Sequence, residues 1–199
     1  MRSATFASLL LAAIVPIAAR AAETPAARAC RSGDPGSRVA GCTVLLAEAR
    51  TARQRAIALD GRCWANNDRG YFAAALTDCA NAILADPGYP YSHHNRGIAL
   101  AGIGDHRGAV TAFTQSIELR PALAYQYVNR AKSLHQVGDR AGAVRDYETA
   151  LRLQPANADA RLGLEFVSSG TSEPSATTPV LAPDAVGGGN SLCGPQECN

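Results

Sequence analysis

Residues 124–157 read AYQYVNRAKSLHQVGDRAGAVRDYETALRLQPAN, and the fold can be worked out from this stretch. Tyr127-Val-Asn-Arg-Ala-Lys-Ser-Leu134 sets apolar and small residues at helical spacing, and Gly138-Asp139 marks a turn. Ala143, Tyr147 and Ala150 then mark a second helix, which Pro155 ends. The same marks recur upstream at a step of 34 residues: Gly70, Gly104 and Gly138; Ala75, Ala109 and Ala143; Arg62, Arg96 and Arg130; Pro87, Pro121 and Pro155. Cys79, Phe113 and Tyr147 share one column, and Ala82, Ser116 and Ala150 another. One period held over so many columns is the signature of a repeat architecture.

The physics of one unit is readable from residues 90–121. Tyr91 to Ile103 predicts a helix with Gly97 and Leu100 on one face. Gly104 suits the left-handed turn, and Asp105 is placed to cap the second helix. Ala109, Phe113, Ser116 and Ile117 line that helix. Small residues (Gly97, Ala109) let the two helices approach, and Phe113 fills the space beside them. A single hairpin cannot bury its apolar face, so neighbours must stack on it.

This pattern resembles the tetratricopeptide repeat (TPR), a 34-residue helical hairpin. The resemblance implies an all-α solenoid with units at 56–89, 90–123 and 124–157. The first unit departs most, with Cys63 in a small-residue position, Asn66 in an apolar one and Cys79 in an aromatic one. Residues 158–167 restart a first helix, with Leu162, Leu164 and Phe166, and are expected to cap the stack. Residues 22–55 are expected to hold a half unit, a lone second helix over Ser37–Glu48, and the start of a lead-in, Ala49 to Leu59, that extends the next helix backwards. The arrangement Cys30…Asp34…Cys42-Thr43 resembles secreted bacterial TPR proteins that open with a two-cysteine half unit.

The ends have a different composition. Residues 1–21 read as a secretory signal peptide: Arg2, an apolar run from Ala4 to Val15, the breaker Pro16, and a small-x-small site at Ala19-Arg20-Ala21. The run is short of the roughly 20 residues of a membrane span. Cleavage after Ala21 predicts a periplasmic or secreted protein without stable membrane insertion, and lowers the formal charge from +2 to zero. That balance argues against a nucleic-acid partner. The segment 168–199 is rich in Ser, Thr, Pro and Gly, including Gly187-Gly188-Gly189, and is expected to be a disordered tail.

Six cysteines in an exported chain suggest disulfides. Local pairing gives Cys30–Cys42, Cys63–Cys79 and Cys193–Cys198. Cys63 and Cys79 read equally well as small core thiols. No C-x-x-C motif is present, which leaves little for metal or redox chemistry.

The sequence carries no catalytic signature: no P-loop, no G-x-S-x-G, no dinucleotide fingerprint. His93, His94, His106 and His135 lack the spacing of a metal-binding helix, so no cofactor or metal is expected. The Arg62, Arg96 and Arg130 column is expected to serve each hairpin, with packed stems and heads in solvent. What remains is the concave face that TPR first helices form. The resemblance places Ile57, Asp60, Trp64, Asn67, Tyr91, His94, Asn95, Ile98, Tyr125, Val128, Asn129, Lys132 and His135 there. Aromatic rings among amides and charges suit an extended peptide or an amphipathic helix. Relatives that clamp a chaperone's C-terminal carboxylate use Lys, Asn and Arg in this groove. Here Asn95 and Asn129 are present, but Tyr91, His94, Tyr125 and Val128 stand where other chemistry is needed. The expectation is a non-enzymatic scaffold for a protein partner. The alternatives are self-association through end helices (Leu162, Phe166) and, at a greater remove, a metal or small-molecule function.

Overall fold

The computed structural model describes residues 24–169. The expected signal peptide, the tail and the Cys193–Cys198 pair lie outside the described residues. Among the described residues nine helices run in order: α1 (Pro25–Ser32), α2 (Pro35–Glu48), α3 (Ala52–Asp68), α4 (Phe72–Ala85), α5 (Pro90–Gly102), α6 (His106–Leu119), α7 (Ala124–Gln136), α8 (Arg140–Leu153) and α9 (Ala158–Ser169). The fold is an all-α solenoid in which helices pair as successive hairpins, each stacked on the next.

The sequence dictates each boundary. Gly70, Gly104 and Gly138 have φ of 72°, 85° and 87°, a conformation that costs other L-residues strain. Asp105 and Asp139 then accept from the backbone N–H of Gly108 and Gly142, capping α6 and α8. The equivalent residue before α4, Tyr71, makes no side-chain cap. Thr51 and Gln54 form a reciprocal capping box that starts α3 at Ala52. The lead-in expected from Ala49 is therefore three residues shorter, because the capping residue must itself stay out of the helix.

The expected half unit is a short hairpin instead. Thr24 caps α1 and Asp34 caps α2, with Pro25 and Pro35 at the first helical positions. Cys30 is bonded to Cys42, joining α1 to α2 with Cα atoms 4.6 Å apart. Cys63 is bonded to Cys79, joining α3 to α4 at 5.5 Å. A Cβ on Gly61 would come within 2.7 Å of Cys42 Sγ and 3.0 Å of Cys30 Sγ, so α3 rests directly on the first cross-link.

Odd-numbered helices contact one another (α1 with α3, α3 with α5, α5 with α7, α7 with α9), whereas even-numbered ones make no comparable contact among the described residues. A row whose members touch is shorter than one whose members are splayed, so the odd helices form the concave side. The interior is built from small residues against single large ones. Gly97 admits the Phe113 ring, and Ala131, Ala143 and Ala150 cluster with Tyr147. In the first repeat the Cys63–Cys79 bond fills that role, packed with Ala75, Ala99 and Leu76.

Candidate functional site: the concave face

The seam between inner helices is polar and keeps the period of the repeat. Asn95 Nδ2 on α5 donates to Asp60 Oδ1 on α3 at 2.9 Å. One repeat later Asn129 Nδ2 on α7 stands 3.2 Å from His94 Nε2 on α5. The next equivalent pair is Val128 and Gly163, where no such bond is possible. Asn67 Nδ2 also crosses the seam, to the backbone O of Asn95 at 2.9 Å. Buried polar side chains that pair in this way fix register between repeats.

These bonds relocate much of the expected groove. Asp60, Asn67, Tyr91, His94, Asn95 and Val128 are buried rather than open to solvent. Asp60, Asn67, His94 and Asn95 are consumed by the seam, and Tyr91 by its contacts with Tyr89 and Arg120. Burial pushes the Asp60 carboxyl up to about 7, opposed by the hydrogen bond from Asn95 and by the charge of Arg53. Burial pushes His94 down to about 3, so it is a neutral ring set against Phe113 and Tyr125, at 5.2 and 4.8 Å between centroids. His93 is buried too, between Gln115 Oε1 (3.2 Å) and the Pro87 carbonyl (3.0 Å).

Ile57, Trp64, Ile98, Tyr125, Asn129 and His135 were expected in the groove beside them. All six keep part of their surface, and Lys132 is open, its side chain 56% exposed and 3.7 Å from Asp159. Trp64 is not a free ring. The Arg38 guanidinium lies 3.3 Å from its centroid and bonds to Asp68 Oδ2 and to the Gly33 carbonyl, so the N-terminal hairpin covers one face of the tryptophan. His135 meets Phe166 edge-on at 5.4 Å, which closes the other end with α9.

The Arg column also differs from expectation. Arg62 Nε donates to Asp78 at 2.9 Å, and Arg130 Nε donates to Asp146 at 2.7 Å, each with a second guanidinium bond to the same carboxylate. The heads are ion-paired across their own hairpins rather than held in solvent. In the middle repeat the carboxylate is replaced by Ala112, and Arg96 is exposed.

Between the seam and the turns lies a strip that joins Ile57, Tyr91 and Tyr125 of the expected groove to Arg53, Tyr89 and Arg120, which the sequence-based set lacks. Arg53 on α3 sits over the Tyr89 ring at 4.2 Å and pairs with Asp86 at 2.9 Å. Tyr89 meets Tyr91 edge-on at 5.2 Å. Arg120 lies over Tyr91 at 5.6 Å and donates to its hydroxyl. Ile57, Ala85 and Leu123 pack beside the two tyrosines, and the Tyr125 hydroxyl is pushed upward by burial and by Tyr91. The strip thus crosses α3, α5 and α7, with two guanidinium groups mounted on buried rings. A cation held over an aromatic face loses little freedom when it meets a carboxylate.

Among the described residues no group of His, Cys, Asp and Glu could hold a metal ion, and no helix is long and apolar enough to cross a membrane.

The sequence model of the tetratricopeptide repeat matches residues 127–157. No curated protein sequence matches the chain. Among solved structures, the second TPR domain of human RPAP3 in complex with an HSP70 peptide is 25% identical, covering 59% of this chain and 98% of its own, with a TM-score of 0.57. The first TPR of Spaghetti (RPAP3), bound to an HSP90 peptide, is 23% identical over 60% of this chain and 94% of its own, with a TM-score of 0.58. MamA is 17% identical, covering 69% of this chain and 79% of its own, with a TM-score of 0.61.

Proposed function

The chain is a tetratricopeptide-repeat protein, and from that premise we propose that it is a non-enzymatic adaptor of the bacterial cell envelope. It holds a peptide or helix of a partner protein on its concave face. The observation that carries this reading is the strip across three inner helices, in which Arg53 and Arg120 ride on Tyr89 and Tyr91. Guanidinium groups pre-set on rings, flanked by Ile57, Leu123 and Tyr125, suit a segment that combines apolar side chains with a carboxylate. Two solenoids of similar fold are solved with peptides bound, which supports the mode of use and not the identity of the ligand.

The chemistry on the face supports no enzyme. His94 is buried and neutral, and Asp60 is buried under Asn95, so neither is placed to exchange protons with a substrate. Export is supported by the apolar N-terminus and by two disulfides among the described residues, which persist in oxidising compartments. N-terminal sequencing of the mature protein should start at Ala22; a retained Met1 in a cytoplasmic fraction would remove the envelope from the proposal.

The adaptor reading is tested with a photo-reactive residue at Ile98, which is partly exposed at the centre of the concave face. Trp64 is a poor probe position because Arg38 covers it. One dominant cross-linked partner, lost on Arg120→Gln, is the expected result. A cross-link only to a second copy would replace the adaptor by self-association, for which Leu162 is 63% exposed on α9. A folded, exported protein with no cross-link would overturn the reading.

A further inference from the structure

Charge is divided along this chain. Residues 24–169 carry 17 Lys and Arg against 13 Asp and Glu, a formal +4. Residues 170–199 carry Glu173, Asp184 and Glu197 with no Lys, Arg or His, a formal −3. Within that acidic segment one stretch has a different character: Pro179-Val-Leu-Ala-Pro-Asp184 is apolar, biased by its prolines toward an extended conformation, and ends in a carboxylate. These are the features that the Tyr-Arg strip suits.

We propose that Pro179–Asp184 is the resident occupant of the strip, with Asp184 against the Arg120 and Arg53 guanidinium groups and Val180 and Leu181 on Ile57, Leu123 and Tyr125. The proposal rests on the reading of the strip as a peptide-binding surface and adds what holds it when no partner is present.

Reach permits it. Helix α9 has 12 residues, so its last residue, Ser169, stands about 18 Å along the axis from its start. The inner helices are roughly 10 Å apart, so passing from α9 to α5 takes about 20 Å across the row. The diagonal is about 27 Å. The ten steps from Ser169 to Pro179 span up to about 33 Å. A tethered segment of this length is presented at an effective concentration of about 1 mM. An affinity too weak to matter between molecules therefore suffices within one. The consequence for function is competition: an outside peptide must displace the chain's own segment, and its apparent affinity falls by the fraction of strips already filled.

The test uses the full chain, with Val180→Ser, Leu181→Ser and Asp184→Asn combined. These positions lie outside residues 24–169, so the substitutions leave the helical body intact. The NMR resonances of Tyr89, Tyr91, Arg120 and Tyr125 should shift between wild type and variant, while those on α4 and α8 stay in place. A synthetic peptide of residues 177–186 should return the variant's resonances toward the wild-type positions, and should bind wild type at least about tenfold more weakly than the variant. Unmoved strip resonances, or equal peptide binding to both proteins, would overturn the proposal. The adaptor reading fails separately: strip resonances that respond to the tail, with no cross-linked partner in cells, would leave an internal latch and remove the adaptor. A partner cross-linked equally to both proteins would do the reverse.

Discussion

Replacing Cys63 and Cys79 by alanine asks whether the first repeat is held by its cross-link as the next two are held by a ring. Cys79 occupies the position of Phe113 and Tyr147, and Cys63 that of Gly97 and Ala131. Both cysteines are fully buried. The bond spans a sequence separation of 16. Closing a loop of that size removes about 10 cal/mol/K from the unfolded chain, or about 3 kcal/mol at room temperature. Loss of buried sulfur adds about 1 kcal/mol. In a body of this size each kcal/mol moves Tm by roughly 2–4 °C, so the double variant should melt about 8–15 °C lower. The assay is thermal unfolding by circular dichroism without reductant, which keeps Cys30–Cys42 closed. Cys63→Gly with Cys79→Phe copies the Gly97–Phe113 pair and should recover about half of the loss, because a ring in that column does by contact what the bond does by constraint. A double-alanine variant that melts within about 2 °C of wild type would refute the reasoning, since the bond would then be ornamental to a repeat that packs without it.

Asp60→Asn should stabilise the protein in alkali. The folded-state pKa of Asp60, raised to about 7, exceeds its unfolded value of 3.8, so its favourable contribution is complete below about pH 4 and is lost as pH rises through 7. The variant should gain several degrees in Tm at pH 8 and nothing at pH 4; an equal change at both values would remove Asp60 as the cause. Arg130→Ala should cost about 2–4 kcal/mol in chemical denaturation, because it strands the buried Asp146. Arg96→Ala in the same column should cost less than about 0.5 kcal/mol, and equal losses would contradict the ion-pair account. Gly97→Ala would set a methyl 2.5 Å from the Phe113 ring and should cost about 1–3 kcal/mol in the same assay, with no loss if the ring can turn aside.

The repeat was legible because it is written in glycines, prolines and small residues, each tied to a local backbone demand. Gly104 must adopt a left-handed turn and Pro121 cannot extend a helix, wherever they occur. The concave face was legible only as a set of columns. Sequence reasoning placed Asp60, His94 and Asn95 among groove residues, but the inner helices touch, so these positions turn into the seam between repeats. The Asn95–Asp60 and Asn129–His94 steps differ by a single repeat length, and that recurrence was readable in advance. Arg53, Tyr89 and Arg120 were missed because they stand in turns or ahead of the first repeat, where no periodic column draws attention to them. The cue would have been composition, with two tyrosines and two arginines placed at the entrances of consecutive inner helices. The loss of the internal partner of Arg96 was visible as Ala112 in a column that holds Asp78 and Asp146.

The two cross-links sit in the first two hairpins, and the described helices beyond them are held by packing, hydrogen bonds and ion pairs without a covalent tie. Each helix touches only its near neighbours, so local opening runs along the solenoid as along a zipper, even where heat melts the body in one transition. Such a zipper has a locked end and a running end. Under force or protease the teeth part from α9 inward, and the stapled hairpins remain as a template on which α5 to α9 re-register. A chain built this way can be opened repeatedly from one side without losing its place.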